Sequence, residues 1–262
     1  MSAQLEMETL DRQRERWRQA RHELRLADPV DEQFGLGGLG GRVRGLTARV
    51  VILPADPFAH RLDFDEDFWK LWMKEIRGPF EGRELRWGSL EAPTPYSAVR
   101  CEDGSENAWR RYGALSHSGL LDIGLGEDGG WRGGAKEWKG ICHLLPVVAT
   151  AWEACHAYGQ LSDRFGFERP WELSIGICRT AGTVLGGFAR GWNEPNSWYS
   201  PRLCKDANIL LRREVFDTPE GWCKSTAFSI GSQIENAFGS KYQRYRMITD
   251  GNLGDFDFET WR

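Results

Sequence analysis

The sequence predicts an α+β fold: a mixed, antiparallel-rich sheet with helices packed on it, preceded by an N-terminal helical arm. Three observations point there. Short apolar or alternating runs are separated by turn residues, as between antiparallel neighbours. Longer segments repeat their apolar residues at helical spacing. A glycine run, Gly35-Leu36-Gly37-Gly38-Leu39-Gly40-Gly41, divides the first helical segment from everything after it.

Residues 5–26 read as a helix in which Leu10, Trp17 and Leu24 recur every seven residues as a narrow apolar stripe. Arg14 and Arg21 hold the intervening positions, which argues against a regular coiled coil. With Arg18 and Arg25 they line a second, basic stripe beside the first. That stripe fits either a ridge for phosphates or an acidic partner, or a solvated helix face. Asp28-Pro29 ends the helix. The organisation is thus a helical arm (1–33), a Gly-rich hinge (34–45) and one α+β globular domain (46–262). The hinge contains Gly-x-Gly-x-x-Gly at Gly35, Gly37 and Gly40. A dinucleotide fingerprint needs a strand before it and a helix after it; here a charged loop precedes and a strand follows.

The domain opens with a buried strand at 48–54 and a helix at 65–76, with Phe68, Leu71, Trp72 and Ile76 on one face. Antiparallel strands are expected at 85–88, 96–101 and 108–115, with a turn at 116–119 and a return strand at 120–125. A second Gly-rich loop covers 127–134. Pro146 suits the first turn of a long helix, 144–164, with Val148, Trp152, Cys155 and Tyr158 inward. Strands follow at 173–179 and 208–216. Asp217-Thr218-Pro219-Glu220 is a cap-and-proline helix start; Ala227, Ile230, Ile234 and Phe238 form that helix's stripe and Gly239 its stop.

Composition sets the outer bounds. At 40% hydrophobic and 27% charged, the chain is an ordinary globular sequence, and its net charge of −4 gives no global field for nucleic acid or membrane. No apolar run approaches a membrane span, and the polar N-terminus lacks a signal-peptide core, so the expected location is the cytoplasm. The six cysteines form no Cys-x-x-Cys pair and read as free thiols in a reducing compartment. Thirteen tryptophans are spread along the chain, enough to build a core and to leave rings for a partner. Those in Gly- or Pro-rich loops, Trp131, Trp192 and Trp198, are the candidates for a partner surface, together with Arg14, Arg18, Arg21 and Arg25. No cofactor is implied.

Four groups of residues carry chemistry worth weighing. His60, Asp63, Asp65, Glu66 and Asp67 make the densest acidic cluster, a candidate divalent-metal site or the capped first turn of a helix. Cys142-His143 and Cys155-His156 offer zinc-type ligands, yet neighbours on a helix point about 100° apart and Cys155 falls on an apolar face. Ser116-His117-Ser118 sits in a turn, with no Gly-x-Ser-x-Gly elbow anywhere. Arg110-Arg111 and Arg212-Arg213 lie on strands, one Arg to each face. With nearby aromatic rings they suit either single-stranded nucleic acid or arginine stems lying over core edges.

Two stretches carry a family resemblance. Trp17-Arg18-Gln19-Ala20-Arg21-His22-Glu23-Leu24, followed by Asp28-Pro29-Val30, resembles the helical connector of bacterial Schlafen-like proteins with an AlbA-type domain. Trp109-Arg110-Arg111-Tyr112 through Ser118-Gly119-Leu120-Leu121-Asp122 resembles a hairpin downstream of that domain. The AlbA-type domain is absent, so no catalytic residue is carried over. The resemblance implies an accessory or sensing module acting with a nucleic-acid-associated protein, in bacterial regulation or phage defence. The expected function is therefore a non-catalytic interaction module, with nucleic acid reached directly or through the partner. The alternative is a metal-dependent hydrolase or nuclease using Asp63, Asp65, Asp67 and His60.

Overall fold

The computed structural model describes residues 3–23, 43, 48–58, 62–79, 85, 87–94, 97–103, 109–126, 131–133, 140–187, 198–199 and 202–239. Its helices are α1 (Ala3–Glu23), α2 (Glu66–Lys70, continued by a π-helical turn over Leu71–Glu75), α3 (Leu144–Phe165) and α4 (Trp222–Ala237). Its strands are β1 (Ala48–Leu53), β2 (Leu90–Glu91), β3 (Ser97–Asp103), β4 (Trp109–Ser116), β5 (Leu121–Leu125), β6 (Trp131–Gly133), β7 (Gly140–His143), β8 (Trp171–Ile177), β9 (Thr183–Gly187), β10 (Trp198–Tyr199) and β11 (Ile209–Val215). The fold is α+β, as expected. Seven strands form a wholly antiparallel sheet in the order β11-β8-β1-β5-β4-β3-β2, and four form a small mixed sheet, β10-β9-β7-β6.

β1 lies in the interior of the sheet, between β8 and β5, because it is apolar toward both faces, and every one of its residues is buried. Ala48, Val50 and Ile52 face a core closed by α2, α3 and α4, with Ile123, Leu173, Ile175, Trp72, Tyr158 and Ile230 among its members. Val51 and Leu53 face the other way, into a smaller core with Val99, Tyr112, Ala114 and Leu120. α1 covers this second face. Trp17 and Ala20 are wholly buried in it, and the Trp17 indole N–H donates to the Pro54 carbonyl at 2.8 Å. Gln13 Nε2 donates to the Ala55 carbonyl, Arg14 grips Glu214 with both carboxylate oxygens (2.6 and 3.1 Å), and Arg16 reaches Asp56. The first helix, expected as an arm, packs through Trp17 and Ala20 onto this face. A heptad stripe is too narrow to seal a sheet face, but one large indole with a hydrogen-bonded N–H is enough to anchor it.

Arg49 also points into the second core, where no water can solvate it. Its guanidinium meets the Asp122 carboxylate of β5 side-on, at 2.7 and 2.8 Å, and the Tyr112 hydroxyl donates to the same carboxylate at 3.1 Å. Arg49 and Asp122 are fully buried. Burial opposes the guanidinium charge, but Asp122 outweighs it and holds Arg49 firmly protonated; burial first, then Asp122, pushes the Tyr112 hydroxyl far above its ordinary range. The Tyr112 ring crosses Gly124, its cross-strand partner, where an added Cβ would lie 2.2 Å from Cε1. Only glycine leaves that path open.

The helices follow the sequence signals closely. The α2 cap is Asp65, whose carboxylate accepts from the Phe68 N–H at 2.8 Å. α3 carries Val148, Trp152, Cys155 and Tyr158 inward and stops at Gly166, at φ +70°. α4 buries Ala227, Ile230, Ile234 and Phe238 and the chain turns away at Gly239, but its first helical residue is Trp222, after the predicted start.

Other expectations are corrected. Among the described residues of 85–88, where a strand was expected, none is in a strand: Leu85 and Trp87 are buried as core residues, Trp87 packs 5.9 Å from Trp72, and Gly88 turns the chain at positive φ. Arg100 of β3 holds this irregular stretch by donating to the carbonyls of Gly88 and Trp72. The outer pairing falls to the two residues of β2 instead. The Gly-rich loop expected at 127–134 contains β6, paired with β7. No helix among the described residues is long and apolar enough to cross a membrane.

If α1 is part of the core, Trp17→Ala should cost about 3–5 kcal/mol in urea unfolding, as for other large buried aromatic truncations. Removing the exposed end of the Arg14–Glu214 pair, by Arg14→Ala, should move the urea midpoint far less, because solvent screens an exposed pair. Equal small losses in both variants would show α1 to be an attachment rather than a layer.

Candidate functional site

Helices α3 and α4 pack on one another, and the flank of α3 that borders its core-facing stripe supplies one wall of a cleft. Trp152, His156, Gly159 and Asp163 fall on that wall at helical spacing. The opposite wall is the turn into α4, with Pro219, Glu220, Gly221, Trp222, Cys223 and Lys224, and Pro79 and Arg169 close the ends. The cleft encloses about 550 Å³, within the range of small-molecule and short-peptide sites.

An aromatic stack fixes the position of Trp222. It packs 5.6 Å from Trp171, which meets Tyr158 edge-on at 5.0 Å and carries the Arg169 guanidinium over its ring at 4.8 Å. The edge of Trp222 comes over Gly159, 3.9 Å from where a Cβ would stand. The cleft therefore has indole surface from Trp152 and Trp222, cations from Arg169 and Lys224, and carboxylates from Asp163 and Glu220. His156 is half-buried, and desolvation lowers its pKa, so it favours the neutral ring. Burial pushes the Cys223 thiol up to about 12, with only slight relief from its own backbone N–H. At neutral pH the Cys223 thiol thus stays protonated, and the His156 ring is held toward its neutral form.

Among the described residues, those singled out in the sequence do not converge. Asp63 and Asp67 are exposed on either side of Asp65, whose carboxylate caps α2; His60 lies outside the described residues. Among the described residues no three His, Cys, Asp or Glu side chains gather as metal ligands. Arg14 pairs with Glu214 within the chain, because the docking of α1 brings the two together. Arg18 is exposed and pairs with Glu15 one turn back. Arg21 lies in the last turn of α1 with its side chain outside the described residues, as all of Arg25 is. Trp131 and Trp198 lie on β6 and β10 of the small sheet, with side chains outside the described set, and Trp192 is outside it altogether.

The remaining groups have structural roles. The Ser116 hydroxyl accepts from the backbone N–H groups of Ser118 and Leu120, while His117 donates from Nδ1 to the Leu62 carbonyl and stacks on Phe64 at 4.0 Å. Arg110 and Arg111 both pair with Glu102 instead of serving opposite faces, since the strand is irregular at Glu102. The six cysteines are free thiols; Cys142 and Cys155 are buried, and burial raises both, Cys142 to about 12.

Sequence reading missed the cleft, although one signal was present. Gly159 interrupts the middle of a long helical pattern, where glycine costs about 1 kcal/mol relative to alanine. No protein-family model matches the chain, and no curated protein or solved structure matches it.

The acidic cluster makes a direct prediction. Asp65→Ala should lower stability by about 1 kcal/mol through loss of the cap, and Asp63→Ala by less than about 0.5 kcal/mol. Equal losses in denaturant titrations would refute the capping role. His156 predicts a pH effect. The unfolded chain takes up a proton below the ordinary histidine value of about 6.5, while the folded chain resists it. Stability is thus complete above that value and declines as pH falls toward the lowered one. Over about pH 7 to pH 5, His156→Gln should lose less stability than the parent. Parallel slopes would remove His156 as a source.

Proposed function

We propose that this chain is a non-catalytic interaction module and that the α3–α4 cleft receives a short segment of a protein partner. The observation that carries the reading is the lining of the cleft. Two indoles and two prolines supply flat apolar surface, and exposed charges of both signs stand around them. Peptide-binding surfaces combine such aromatic anchors with a polar rim. Burial keeps the Cys223 thiol protonated, which favours contact over thiolate chemistry in the cleft. The partner's class, a protein that works on nucleic acid, rests on the Schlafen-like resemblance of the stretches around Trp17 and Trp109.

Selection of short peptides from a displayed random library against the whole chain tests this reading. Enriched peptides should bind the purified protein in calorimetry. Trp222→Ala and Asp163→Lys should each weaken them by about tenfold or more, near 1.4 kcal/mol. Asp163 is exposed, so its variant separates lost binding from lost folding. Failure to enrich any peptide, or binding that both variants leave unchanged, would overturn the proposal.

A further inference from the structure

β11 is an edge of the seven-stranded sheet: it pairs with β8, and no other described strand lies along its outer side. An open edge presents backbone donors and acceptors to any strand that can align with it. This edge also carries two of the large apolar side chains left exposed, Leu210 at 37% and Phe216 at 47%, one at each end of its charged centre.

The sequence Leu210-Leu211-Arg212-Arg213-Glu214-Val215-Phe216 is complementary to itself when read in reverse. Place a second copy antiparallel with Arg213 on the two-fold axis. Arg212 then stands opposite Glu214 of the second copy, twice. Leu210 stands opposite Phe216, twice, and Leu211 opposite Val215, twice. Opposed residues share a face in an antiparallel pair, so the charged and exposed apolar pairs lie on the α1 side, and the Leu211–Val215 pairs on the side covered by α4. A shift of one residue would break every one of these matches. The single like-charge pair is Arg213 with its own copy, on the axis.

We propose that β11 is a self-association edge through which two copies join their sheets in this register. Glu214 already accepts from Arg14, and a carboxylate has lone pairs for a second arginine. Each Glu214 would thus be held between Arg14 of its own chain and Arg212 of the second copy. The charges in the centre of the strand, which would repel an unrelated strand, select this one.

Sedimentation equilibrium of the whole chain should show a dimer that dissociates on dilution. Leu210→Lys combined with Phe216→Lys alters only exposed positions and should yield a monomer with an unchanged circular-dichroism spectrum. Arg212→Glu should weaken association at least about tenfold, and adding Glu214→Arg should restore it. Register is read by cross-linking. Arg213→Cys should form an intermolecular disulfide under mild oxidation, because its copies would have Cβ atoms about 4.5–5.5 Å apart. Leu210→Cys should not, because its copies would lie roughly 20 Å apart at about 3.4 Å per residue. A chain that stays monomeric, a dimer unaffected by the double lysine variant, or cross-linking at Leu210 but not at Arg213 would overturn the proposal.

Discussion

A guanidinium and a carboxylate with no access to water, Arg49 on β1 and Asp122 on β5, constrain everything around them. Neither charge is tolerable there alone; breaking such a pair typically costs about 3–5 kcal/mol. The pair is satisfied only if β1 and β5 hold their register, if Gly124 leaves room for Tyr112 to reach the carboxylate, and if α1 keeps water off the face. A one-residue slip would carry the two charges to opposite faces. The interaction therefore penalises strand alignments that would separate the two charges.

The sheet is consequently two-sided, and the two sides are covered differently. One is closed by a broad apolar layer from α2, α3 and α4. The other is closed by one helix, held by a single indole and a few polar contacts at its rim. Because α3 and α4 spend their apolar stripes on the sheet, their outer sides are left to polar and amphipathic residues. The cleft forms along the border of the α3 stripe, with Trp222 reaching back to the core through Trp171 while its other edge lines the opening.

The sequence made the class of fold legible, and most of its elements. β1, the β3–β4–β5 meander, the long α3, and β8 and β11 all announce themselves through apolar periodicity and the turn residues around them. The Asp65 cap was legible because it needs only a carboxylate and a free N–H three residues on. The small sheet was not. Its strands are two to five residues long and rich in glycine at Gly133, Gly140, Gly186 and Gly187, so no alternation can develop. Nor was Arg49 readable as a buried charge, because its partner lies 73 residues away. The candidate cleft was illegible for a similar reason. Its two walls come from segments some sixty residues apart, and each residue taken alone reads as ordinary helix surface or turn.

The row of rings running from Tyr158 through Trp171 to Trp222 has an optical meaning as well. Indoles 5.6 Å apart are close enough for excitation to hop between them before either emits. Light absorbed by Trp171, deep in the core, can thus leave the molecule from Trp222 at the rim of the cleft. An occupant touching that one rim indole would dim emission from a ring it never contacts, and a probe-free spectrum of the native protein would register its arrival.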